Sequence, residues 1–146
     1  MIKIGIDFSL TSPAICVYKN GEYSFISFFS DGGKDWKHSK SKTYRYHNDL
    51  CKIIDVIPYT RNIDDSNYRD EQKTKMADAL MTVNLIIEKL KAIIDDEVII
   101  GLEGFSYGSI SSSTLDLAMY NSFLRMKLIE NFGSDCLNII SPTEGK

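Results

Sequence analysis

The sequence predicts one α/β domain: a mixed five-stranded sheet, three antiparallel strands followed by parallel ones, flanked by helices. Three observations predict it. Strand-like runs on either side of Asn20-Gly21 carry the strongest short-range hairpin signal. Apolar residues recur at helical spacing from Tyr68 to Asp95. Two later apolar runs of strand length are each preceded by a helical stretch, and such crossovers lay strands parallel in one sheet.

The opening run, M-I-K-I-G-I-D-F, alternates Ile2, Ile4 and Ile6 and delivers Asp7 at its carboxyl end. A turn at Ser9 to Pro13 separates it from A-I-C-V-Y, and Asn20-Gly21 turns that strand into E-Y-S-F-I-S-F-F. From Ser30 to Thr43 the chain is polar, with Gly32-Gly33 and alternating lysines and serines, and reads as a flexible loop. Tyr44 to Tyr59 is ordered but of open type: D-L-C-K-I-I-D-V-I-P fits a short helix leading into a strand that Pro58 ends. Met76, Leu80, Val83, Ile87, Leu90 and Ile94 then mark the buried stripe of an amphipathic helix. E-V-I-I-G-L-E suits a central strand buried on both faces, ending at Glu103. A second helix is expected from Thr114 to Phe132, capped by a hydroxyl of the preceding loop and closed by Gly133. C-L-N-I-I-S-P reads as the last strand.

At 146 residues and 43% hydrophobic content, the chain is sized for one domain, 1–146, with a real core. Its net charge of −3 means that any nucleic-acid surface must be local. The start shows no secretory signal, and no apolar run approaches the roughly 18 residues that span a bilayer, so a cytoplasmic protein without membrane contact is expected. Cys16, Cys51 and Cys136 fit no metal spacing and read as reduced thiols.

Asp7 and Glu103 are far apart in sequence, yet each ends a strand that the topology predicts to be a sheet neighbour of the other. Adjacent strands lie about 4.8 Å apart, so the two carboxylates are expected to share one hard cation, Mg²⁺ or Mn²⁺, which relieves their repulsion. Such a site hydrolyses phosphodiesters when one ion generates the hydroxide and a second, about 3.5–4 Å away, stabilises the leaving oxygen. The plainer alternative for Asp7 is a turn cap. For Glu103 it is weaker, since a buried glutamate needs a partner.

These residues carry a resemblance. G-I-D-F-S-L-T-S-P-A-I-C-V resembles the first-strand motif of RuvC-like Holliday-junction resolvases, and I-I-G-L-E-G-F-S-Y-G resembles their second motif, a strand ending in a catalytic Glu. The helix with Leu115, Ala118, Met119 and Leu124 stands where those proteins have one beside the junction, and I-S-P-T-E-G-K resembles their strand, proline and lysine. The resemblance implies an RNase H-like fold and a metal-dependent endonuclease that cleaves branched DNA such as Holliday junctions. It further implies Asp7 and Glu103 as catalytic metal ligands, two ions per site, Lys146 as a phosphate contact, and a homodimer that nicks two symmetric strands. Such enzymes draw further acidic ligands from a C-terminal helix, which this domain is expected to lack; Asp116 and Asp135 match no ligand and read as solvated helix positions.

Lys34, Lys37, Lys40, Lys42, Arg45 and Lys52 form a local basic stretch with Trp36, Tyr44 and Tyr46 interleaved, suited to neutralising phosphates and stacking on unpaired bases. A solvated loop accounts for it equally well. Arg61 and Arg69 near the long helix fit a phosphate clamp, or more ordinarily ion pairs with Asp64, Asp65, Asp70 and Glu71. The loop after Glu103, including Ser106, offers hydroxyls and N–H groups to a scissile strand, or simply caps the next helix.

Two other classes remain. Actin-like ATPases and sugar kinases share the fold, but here the turn Phe8 to Ser12 lacks glycine and there is no room for a second lobe. An RNase H-like module that binds nucleic acid or serves a structural role without catalysis is the other.

Overall fold

Why the meander closes as it does is visible at its turn. Asn20 and Gly21 adopt φ values of 54° and 86°, the left-handed pair that matches the twist of a two-residue hairpin. Asparagine tolerates that region and glycine pays no Cβ penalty there. A computed structural model describes residues 1–30, 52–57, 67–104 and 112–141. The chain runs β1 (Ile2–Asp7), β2 (Ala14–Lys19), β3 (Glu22–Ser30), β4 (Lys52–Ile57), α1 (Tyr68–Ile93), β5 (Val98–Glu103), α2 (Ser112–Phe132) and β6 (Leu137–Ile140). The expected Ser9 to Pro13 turn is held by the Ser9 hydroxyl, which accepts from the backbone N–H of Ser12 at 3.1 Å.

The sheet order is β4-β3-β2-β1-β5-β6. The five expected strands are all present, and β4 adds a sixth that pairs parallel with β3. This settles the ambiguous stretch before Pro58: its residues 52–57 are strand. Because β2 is antiparallel to both β1 and β3, and β5 and β6 continue parallel from β1, β2 alone runs against the rest.

Both helices lie on one face of this sheet. Ile2, Ile4, Ile6, Ile15, Val17, Ile26, Phe28, Ile57, Ile100 and Leu102 point under them and form the core with Val83, Ile86, Leu90, Tyr120, Leu124 and Leu128. Alternation then sends the intervening strand residues to the other face. There Tyr23 is 67%, Phe25 47% and Ile99 40% exposed. The expectation that β5 is buried on both faces is therefore corrected: its double-sided apolarity meets a helix layer on one side only among the described residues.

Asn67 caps α1, its side chain accepting from the Asp70 N–H at 3.1 Å. The expected stripe is half right. Val83, Ile87 and Leu90 are buried, whereas Met76 and Leu80 are 46% and 40% exposed. The buried face is turned toward Lys75, Ala79, Thr82 and Ile86, so two polar residues that the apolar stripe did not include are buried on it. At the far end of α2, Gly133 has φ 89° and its N–H bonds the Ile129 carbonyl at 2.9 Å, a left-handed helix stop. No helix of the described residues is long and apolar enough to cross a membrane.

Candidate metal centre

The parallel register of β1 and β5 pairs Ile2 with Val98 and continues in step to Ile6 with Leu102. One residue further on stand Asp7 and Glu103. They occupy corresponding positions on neighbouring parallel strands, about 4.8 Å apart, with side chains on the same face. Ile6 and Leu102 are buried under the helices, so the two acids project to the opposite, open face, and both are exposed. Among the described residues neither carboxylate has an ion-pair or side-chain hydrogen-bond partner.

Their surroundings follow from the ladders. Asp7 stands opposite Ala14 of β2, and Glu103 opposite Ile140 of β6. Gly104 donates its N–H to the Ile140 carbonyl at 2.7 Å, which holds the end of β5 to the sheet. Directly before the acids, on the same face, Gly5 faces Gly101. A Cβ at Gly5 would meet nothing within 4 Å. A Cβ at Gly101 would meet the Ile140 side chain, whose Cδ1 lies 3.0 Å away, so the open step where a ligand can approach the backbone lies over Gly5, in front of Asp7.

The burial argument for Glu103 is corrected: it is exposed, and needs no partner to be tolerated. The pairing with Asp7, not desolvation, is what singles it out. Two exposed carboxylates at this spacing supply oxygen donors that suit one hard cation, with water completing the shell. Among the described residues no group of three His, Cys, Asp or Glu is placed to hold a metal, so a second ion has no ligand set there.

The remaining expected contacts, Lys34, Trp36, Lys37, Lys40, Lys42, Tyr44, Arg45, Ser106 and Lys146, lie outside the described residues, as do Arg61 and the loop after Ser30. Tyr68 and Arg69 are exposed at the start of α1. Glu71, expected among the partners of the arginines, is bonded to Lys75 instead.

That bond belongs to a cluster that periodicity did not reveal. Lys75 is 5% exposed and Asp116 8%. The Lys75 Nζ lies 2.8 Å from Glu71 and 3.1 Å from Asp116, joining α1 to α2. Asp116 is therefore no solvated helix position, and Asp135, though exposed, stands in the turn after α2 and not on a helix. The hydrogen bond to Glu71 is the largest cause raising the Lys75 ammonium above its ordinary value of 10.5, against the opposing effect of burial. Both helices run antiparallel to β5, so the cluster, near both helix N-termini, lies at the sheet edge that carries Asp7 and Glu103. Phe8, the residue after Asp7, packs against Tyr120, one turn beyond Asp116, at 6.4 Å between ring centroids. The Glu71–Lys75 spacing of one helical turn was the only signal of the cluster in the sequence.

No family model matches the chain, and no curated protein or solved structure matches it.

Proposed function

We propose that the chain is a metal-dependent endonuclease of the RuvC-like type, with an RNase H-like fold, acting on branched DNA. One observation carries this reading: the matched positions of Asp7 and Glu103 on neighbouring parallel strands, both exposed and without an ion-pair or side-chain hydrogen-bond partner among the described residues. The three-strand meander with two crossovers adding parallel strands on the β1 side supports the fold assignment.

In this reading Asp7 and Glu103 hold Mg²⁺ or Mn²⁺, which when bound supplies Lewis acidity for phosphodiester hydrolysis by water. Asp7 and Glu103 position it; Gly5 leaves room for the scissile strand to lie against the sheet in front of Asp7. The basic stretch from Lys34 to Arg45 supplies phosphate and base contacts by its composition. A second ion would need acids beyond these two.

The second reading, an RNase H-like module that binds without cutting, is favoured by the same shortage: two acids, with no third among the described residues. Incubation of the protein with four-way junction, linear duplex and ATP, in Mg²⁺ or Mn²⁺, separates the readings. Junction nicking lost in Asp7→Asn and Glu103→Gln supports the nuclease. Junction binding without nicking supports the inert module, and ATP turnover overturns both.

A further inference from the structure

The open face of the sheet carries more than two acids. Strand alternation puts Lys3 and Gly5 of β1, Cys16 and Tyr18 of β2, and Tyr23 and Phe25 of β3 on that face. Cys16 pairs with Gly5 on one side and Phe25 on the other, and Tyr18 pairs with Lys3 and Tyr23. The Tyr18 and Tyr23 rings lie 4.8 Å apart between centroids, tilted by 49°. Tyr23 and Phe25 are 67% and 47% exposed. Three rings thus stand on adjoining strands, beside a low floor of Cys16 and Gly5 that leads to Asp7.

We propose that this face binds an unpaired stretch of DNA, its bases stacked on Phe25, Tyr23 and Tyr18 and a phosphate held by Lys3. Three observations select that occupant. Exposed rings stack on unpaired bases, whereas a duplex keeps its bases within its own stack. Lys3 is exposed beside Tyr18, and among the described residues its ammonium has no ion-pair partner; it has the sign that a phosphate needs. The face is also continuous with the cation site. Lys3 and Asp7 are four residues apart on one strand, about 13 Å. A phosphate at Lys3 and one at the cation therefore belong to different nucleotides, and the open step over Gly5 carries the link between them.

An apolar protein surface laid on this face would bury the Lys3 ammonium and two carboxylates without partners, which is costly. A solvated DNA strand leaves all three hydrated or paired. The inference deepens the endonuclease reading, on which the choice of DNA rests: the part of a branched substrate that reaches the cation is single-stranded.

Fluorescence anisotropy with labelled oligothymidylate of about 12 nucleotides, in EDTA so that neither an ion nor cleavage enters, tests it. The wild type is expected to bind the single strand about tenfold or more tightly than duplex DNA of that length. Tyr23→Ala with Phe25→Ala is expected to weaken single-strand binding by about tenfold or more, with duplex affinity and the far-ultraviolet spectrum unchanged. Met81→Ala, on the outer side of α1, leaves both affinities as they were. Lys3→Gln is expected to lower the slope of log affinity against log salt by about 0.7. Phe25→Trp keeps the test open if the double variant misfolds: the oligonucleotide is expected to quench its added emission beyond any change at Trp36, the single natural tryptophan.

Single-strand affinity that survives loss of both rings overturns the proposal, as does an equal loss for duplex or an unquenched Phe25→Trp. Self-association that the ring change abolishes, with no oligonucleotide bound, assigns the face to a protein and overturns it too. Ring-dependent binding without junction nicking removes the cutting and upholds this inference; nicking without ring-dependent binding does the reverse.

Discussion

Asp7 and Glu103 stand one step beyond the Ile6–Leu102 pair of β1 and β5, at corresponding positions and on the open face of the sheet. Like charges at this spacing disfavour each other, and a cation between them reverses the sign. Mn²⁺ is therefore expected to stabilise the wild type by about 2.7 kcal/mol at a hundredfold excess over its dissociation constant. The variant with Asp7→Asn and Glu103→Gln is expected to gain nothing from the ion and to be no less stable without it. Thermal unfolding with and without Mn²⁺ measures both, and an equal Mn²⁺ effect on the two proteins would dismiss the site.

The glycine step in front of the acids separates binding from chemistry. Gly5→Val places a β-branched side chain in open space, where a strand gains from it, so stability is expected to hold or rise by about 0.5–1 kcal/mol. Junction nicking is expected to fall through a higher KM, because the side chain occupies the approach to the carboxylates. A variant that cuts with unchanged KM shows that no strand passes over Gly5.

Between the helices, Lys75 compensates two carboxylates while almost wholly buried. Lys75→Met leaves Asp116 buried without its cation, at a cost of about 3–5 kcal/mol. Adding Asp116→Leu to Lys75→Met removes the uncompensated charge and is expected to return most of the loss. Urea unfolding of the single and double variants decides; a double variant weaker than Lys75→Met by a further full increment contradicts the assignment.

The same group sets an alkaline limit. The hydrogen bond to Glu71 is the largest cause that raises Lys75 above 10.5, so the folded state binds its proton more tightly than the unfolded state does. The resulting stabilisation is complete below pH 10.5 and is lost as pH rises through the folded value. Lys75→Met is expected to flatten this part of the stability profile, read as the urea midpoint against pH between 9 and 12. A wild-type profile as flat as that of the variant rejects it.

At the hairpin, Gly21→Ala forces a Cβ into the region of φ 86°, for about 1–2 kcal/mol. The urea midpoint is expected to fall with the slope unchanged, and an undisturbed midpoint means that the turn relaxes.

Local chemistry determined what the sequence by itself determined. Ile alternation, Asn20-Gly21 and Gly133 act within a few residues, so β1 to β3 and the end of α2 could be read directly. Asp7 and Glu103 were legible as strand ends whose topology made them neighbours. Only the tertiary structure decided what each face meets. Periodicity names an apolar stripe but not the element opposite it, so Met76 and Leu80 were assigned to a core that instead turned toward Lys75 and Thr82. Asp116 passed for a surface acid because its partner lies on another helix. Glu103 and Ile99 passed for buried because a run apolar on both sides does not say that only one side receives a helix layer. Burial is a property of the pair of surfaces in contact, and a single strand or helix carries only one of the two.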